Sequence, residues 1–216
     1  MRNLLAVTLL ILAFCVSSCG NKNKGANFEN DTIDIGDLPN TDKTLYGVIV
    51  GDGTSMNELQ VLTDSGDTLN ISITYAKDNG LQLGGLDAGE RVAVMVKEEE
   101  GQKIATEVVN INSLLGIWLM PNPMDGSDFV GMVLKEGGIA ESVNQSSLFY
   151  KSWKIFNGKL VLVADHEGGG DFEEVDTFRI KALGPDSLVI QGEEDLFEYK
   201  RSKEMPKITE PTEESL

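Results

Sequence analysis

Tyr150-Lys151-Ser152-Trp153-Lys154-Ile155-Phe156-Asn157-Gly158-Lys159-Leu160-Val161-Leu162-Val163-Ala164-Asp165 is the stretch that decides the fold. Two apolar-rich runs flank Asn157-Gly158, a dipeptide suited to the positive φ angles of a two-residue hairpin turn. Trp153 and Ile155 share one face of the first run. Leu160, Leu162 and Ala164 share one face of the second, with His166 continuing the alternation. Outward from this hairpin the same pattern repeats. Strands are expected at 115–120, 129–135, 139–143, 150–156, 159–165, 172–183, 187–191 and 196–201. Gly137-Gly138, Gly168-Gly169-Gly170, Gly184-Pro185-Asp186 and Gly192-Glu193-Glu194 supply turns between them. Eight consecutive strands over 113–203 predict an up-and-down barrel, which leaves no edge strand exposed. A helical turn is expected within 142–150, where it can cap the barrel. The Pro-containing turn from Met120 to Gly126 is expected at one mouth.

Upstream, residues 44–112 read as a second all-β module. Its strands are expected at 45–50, 58–63, 68–74, 91–97 and 103–110, separated by Asp52-Gly53, Asp64-Ser65-Gly66-Asp67 and Glu99-Glu100-Gly101. A longer link joins the third strand to the fourth. Five strands with that spacing resemble a small OB-type barrel. OB barrels often bind nucleic acid, but this module carries 4 basic and 11 acidic residues. Phosphate contacts come mainly from Lys and Arg, so nucleic acid is not an expected partner.

The N-terminus reads as a secretory signal over 1–18. Arg2 supplies the positive charge, and 4–16 form an apolar run too short to span a bilayer. Val16-Ser17-Ser18-Cys19-Gly20 resembles a bacterial lipobox. That resemblance implies cleavage before Cys19 and acylation of Cys19, whose several acyl chains would anchor the protein stably in a membrane. Cys15 would leave with the signal. No thiol would then remain for a disulfide, a nucleophile or a metal. Residues 19–43 read as a polar tether and 204–216 as an acidic, disordered tail. The expected location is the cell envelope at the outer membrane, with the periplasmic or surface face open.

Leu114-Leu115-Gly116-Ile117-Trp118 and Phe197-Glu198-Tyr199-Lys200-Arg201 bracket the second module. Together with Trp153-Lys154-Ile155 and Asp176-Thr177 they resemble the lipocalin-like domain of Bacteroidetes lipoproteins. The resemblance spans 114–201, shorter than a full lipocalin. It implies a barrel in which Arg201 stacks on Trp118, a structural cation–π pair worth roughly 0.5–2 kcal/mol. It further implies a small apolar ligand. Parity offers Met120, Met132, Trp153, Asp176, Phe178 and Tyr199 as pocket-lining candidates, with Met124 and Phe129 beside them. Asp176 is the polar member, and an inward carboxylate needs a partner such as Arg201 or Tyr199. So short a barrel favours a filled or narrow interior.

The chain has 216 residues, 35 acidic and 18 basic, for a net charge of −17. The acidity is spread over both modules, which suits a solvated surface rather than one charged site. One His in the chain leaves no multi-His metal site and no His network for catalysis. No Gly-x-Ser-x-Gly elbow and no phosphate loop occur. No catalytic residue, metal or cofactor is therefore expected. The expected partners are a membrane, through the lipid anchor, and a small apolar ligand. The alternative is a structural or envelope-sensing lipoprotein acting through an envelope protein.

Overall fold

The computed structural model describes residues 41–51, 54–124, 126, 128–168 and 173–206. The signal sequence, Cys19, the tether up to residue 40, the Asp52-Gly53 turn and the tail beyond 206 lie outside the described residues.

The first sheet contains β1 (Thr44–Ile49), β2 (Glu58–Thr63), β3 (Thr68–Ser72), β4 (Gln82–Leu83), β5 (Arg91–Glu99) and β6 (Gln102–Asn110). Its order is β3-β2-β1-β5-β6-β4, and a parallel contact between Ser72 of β3 and Ile104 of β6 returns the sheet to itself. Two details depart from expectation. The third strand stops at Ser72, and a short helix α1 (Thr74–Asp78) follows in the long link. The two-residue β4 adds a sixth strand by parallel pairing with Val108 and Val109. The module's own core gathers Leu59, Val61, Ile71, Ile73, Ala76, Val92, Val94 and Val108, all nearly inaccessible. On β5, Val92 and Val94 face this core, while Ala93 between them turns to the neighbouring module.

The second sheet comprises β7 (Gly116–Pro121), β8 (Phe129–Leu134), β9 (Ala140–Val143), β10 (Leu148–Phe156), β11 (Lys159–His166), β12 (Glu173–Leu183), β13 (Ser187–Gln191) and β14 (Leu196–Ser202). All eight strands run antiparallel to their neighbours, in the order β10-β11-β12-β13-β14-β7-β8-β9. An isolated bridge between Ile139 and Ser152 brings the two ends together, making a nearly closed up-and-down barrel. The Tyr150 amide also donates to Ser142 Oγ across this seam, at 2.7 Å. The hairpin between β10 and β11 turns at Asn157 (φ 49°) and Gly158 (φ 76°), the two positive angles that a type I′ turn requires.

The helical turn expected within 142–150 is absent. Those residues complete β9, pass through Asn144 at φ 51° and begin β10. A single 3-10 turn lies earlier, at Glu136–Gly138. A Cβ on Gly138 would stand 2.9 Å from the Trp153 carbonyl, so this turn hugs the β9–β10 seam.

The two modules share apolar packing. Leu83, Ala93 and Val109 of the first belong to the same buried cluster as the barrel interior, with Tyr46 packed against it. The Tyr46 hydroxyl reaches both Asp42 and the Ile155 carbonyl. Burial, with Asp42 adding to it, holds the Tyr46 hydroxyl firmly protonated. Asn157 fastens the same seam: its amide donates to Asp42 Oδ1 at 3.0 Å and its side-chain oxygen accepts from the Lys43 amide at 2.8 Å. Burial works against ionisation of Asp42, but bonds from Thr44, Tyr46 and Asn157 outweigh it and lower its pKa. The β10–β11 hairpin end of the barrel therefore rests on the first module.

Candidate functional site

The end of the barrel near the first module is built around α2 (Ile111–Leu114). Buried Asn110 caps this helix by accepting from the Ser113 amide at 2.9 Å and donates to the Gly85 carbonyl and Glu90. The cap drops Leu114 into the core and presents its carbonyl to Trp118 Nε1 at 2.7 Å. Trp118 is wholly buried. Across the β14–β7 pairing, Arg201 lies opposite Trp118 with its guanidinium carbon 4.2 Å from the ring centre. The guanidinium donates to the Leu115 carbonyl, to Ser113 O at 2.6 Å and to Pro185 O at 2.5 Å. It thus satisfies carbonyls at the C-terminal end of α2, which have no partner within the helix. Gly116 makes room: its φ is +136°, and a Cβ there would sit 2.6 Å from Arg201 Nη1. With its donors committed, Arg201 is not the partner of Asp176 that parity allowed.

Register stacks the interior into layers above this floor. Ile155, Leu160 and Phe178 form one. Trp153, Leu162 and Asp176 form the next, then Tyr150, Ala164 and Glu174, then Leu148 and His166. The lower layers are filled by Met132, Leu134, Ile155, Leu160, Ile180 and Leu188, each at most 3 % exposed. The upper layers are polar and reach solvent, since His166 and Glu174 are exposed and in contact with each other.

Each candidate can now be placed. Trp153 is buried, with Nε1 donating to the Lys135 carbonyl at 2.9 Å. Met132 is buried, and half-buried Met120 packs against the same interior cluster. Phe178 meets Phe197 edge to face at 6.0 Å. Met124 and Phe129 are corrections: at 90 % and 54 % exposed they line nothing inside. Phe129 pairs with Pro121 on the outward parity of β8. The outer face of β7 finds its cover on its own sheet, where Ile117 and Leu119 pack with Val133 and Val143.

Asp176 is half-buried, and its carboxyl pKa is raised by burial and by Glu174, with His166 opposing. No hydrogen bond to Asp176 forms among the described residues. Tyr199 is 5 % exposed, and its hydroxyl likewise has no hydrogen-bond partner among them. No fully buried side-chain polar atom among them lacks a partner, so this hydroxyl keeps some access to solvent. Burial raises the Tyr199 pKa, and nearby Tyr150 adds to the shift. Tyr150 is pushed up to about 12, first by burial and then by Asp176, while the Gln145 side chain bonded to its hydroxyl pulls the other way.

Sequence reasoning missed Tyr150 and Glu174. Glu174 shares parity with Asp176 and was within reach of that argument. Tyr150 was not, because a β-bulge between Tyr150 and Ser152 shifts the register. The bulge lets Tyr150 and Trp153 both face inward although their numbers differ in parity. Among the described residues no three metal-ligating side chains converge.

Residues 110–202 match a family model described as lipocalin-like. A solved structure, a lipocalin-like protein from Bacteroides thetaiotaomicron VPI-5482, is 38 % identical and matches with a TM-score of 0.38, covering 42 % of this chain and 97 % of that one. The comparison with curated proteins returns no match. Residues 110–202 of the chain therefore form a lipocalin-like domain.

Proposed function

We propose that this is a lipid-anchored, non-catalytic lipoprotein of the cell envelope, at the outer membrane, whose barrel binds a small apolar ligand. The observation that carries the ligand reading is the division of the barrel interior. The Trp118–Arg201 end is packed and sealed, while the other end holds the unpartnered Tyr199 hydroxyl beside aromatic side chains and reaches solvent. An apolar interior below polar groups that reach solvent suits a small amphiphile. Anchoring rests on the lipobox-like run ending at Cys19. The strand order of the first module, with its parallel closure and the helix after β3, supports an OB-type reading of 44–112. Its docking under the barrel suits a supporting role.

Native mass spectrometry of protein extracted from its own membranes tests the ligand. A bound small molecule released on unfolding supports the reading, and an apo mass throughout overturns it. Palmitate labelling that survives Cys19→Ala would overturn the anchor. The alternative, a structural or sensing lipoprotein working through protein contacts, draws on exposed Phe129, Phe149 and Leu196 at the strand ends away from the first module. Crosslinking in intact envelopes with no partner enriched over a tethered control would count against it.

A further inference from the structure

We infer that the barrel takes a ligand with a cationic head, a small organic amine or quaternary ammonium, received by Asp176 beside Tyr150. This rests on the apolar-ligand reading above and specifies its chemistry. Asp176 pairs in register with Leu162, one layer above Phe178 and two below His166. It therefore lies about 13 Å along the strand from the His166 rim, at ~3.3 Å per residue. A half-buried carboxylate with no hydrogen-bond partner among the described residues is stabilised by a counter-charge.

Among the described residues none is supplied from inside. Arg201 is held by three carbonyls at the opposite end. Lys151 bonds Asp165 and Glu173 on the outer face. His166, the one basic group near Asp176, is in contact with Glu174. A second, independent feature points to the same occupant. Tyr199 belongs to the interior cluster, its hydroxyl has no hydrogen-bond partner among the described residues, and Tyr150 lies near enough to raise its pKa. A carboxylate next to one tyrosine, with a second tyrosine beyond it, offers an alkylammonium both charge and ring quadrupole. Anionic ligands, fatty acids included, would face Asp176 and Glu174 and be repelled.

Isothermal titration of the full chain with octyltrimethylammonium, octanol and octanoate tests this, since one chain length carries three head charges. The expected result is about 10-fold tighter binding of the cation than of octanol, with octanoate weakest. Asp176→Asn should bring the cation level with octanol and leave octanol unchanged. Should that variant fail to fold, Glu174→Gln and a salt titration of the wild type carry the test, each weakening the cation alone. Octanol or octanoate binding as tightly as the cation overturns the cationic head and leaves the apolar ligand standing. No binding by any of the three overturns both. A cation preference that survives both substitutions also overturns the assignment to Asp176.

Discussion

Replacing Glu107 by Gln should make the protein more stable, and more so the higher the pH. Glu107 lies on β6 opposite Met95, at the seam between the modules. A Cβ placed on Gly158 of the barrel hairpin would stand 2.8 Å from its Oε2. Burial there raises its pKa from 4.5 to about 7, against an opposing pull from Arg179. Between those two values the native state keeps a proton that the unfolded chain has released. Stability therefore falls as pH rises through the window, and the loss is complete above about 7. The full shift corresponds to about 3 kcal/mol. Glu107 is only partly buried, and residual hydration screens the charge, which leaves about 1–2 kcal/mol. Urea unfolding of wild type and Glu107→Gln at pH 5 and pH 8 reads the difference directly. The advantage of the variant over wild type should grow by about 1–2 kcal/mol from the lower pH to the higher. An advantage independent of pH, or one that shrinks, would refute the claim that this carboxyl is desolvated at the seam.

Other substitutions probe other joints. Trp118→Ala empties the barrel floor and unseats Arg201, so thermal and urea unfolding should show a loss of about 3–5 kcal/mol. Arg201→Lys keeps the charge but loses the planar fork that serves three carbonyls, and should cost about 1–3 kcal/mol by the same measurements. Tyr46→Phe removes the hydroxyl shared by Asp42 and the Ile155 carbonyl and should cost about 1–2 kcal/mol. In a double-mutant cycle with Asp42→Ala the two losses should fall short of additive. Gly116→Ala should be the most damaging of the small changes, because Ala must adopt φ +136° and push against Arg201. Its soluble yield and melting temperature should fall well below those of Gly126→Ala, where a Cβ meets nothing.

Features set by adjacent residues were legible in the sequence. The Asn157-Gly158 turn follows from the two positive φ angles that this dipeptide accepts. The eight strands follow from alternation punctuated by glycine. Trp118 and Arg201 were paired by resemblance, and they meet because their strands are hydrogen-bonded neighbours although 83 positions separate them. Short elements escaped notice: α1 has five residues and β4 two, too few for either period to repeat. The roles of Tyr46 and Glu107 depend on packing against residues more than fifty positions away, about which local pattern is silent. Tyr150 was hidden by the bulge that reverses its face. Inward-facing positions were thus readable where strand parity ran unbroken, at Asp176, Phe178 and Tyr199, and unreadable where one extra residue shifted the count.

The bonds from Asn157 to residues 41–43 also fix where the chain enters its folded body. Tension arriving from the N-terminal side reaches the protein at the joint between its two modules rather than at a free strand end. It meets the Asn157 bonds first, then the pairing of Thr44 and Leu45 with β5 and the Tyr46 hydroxyl, before any barrel strand is pulled. Under load applied at residue 41, the seam would part while the far end of the barrel, which carries Asp176, kept its shape.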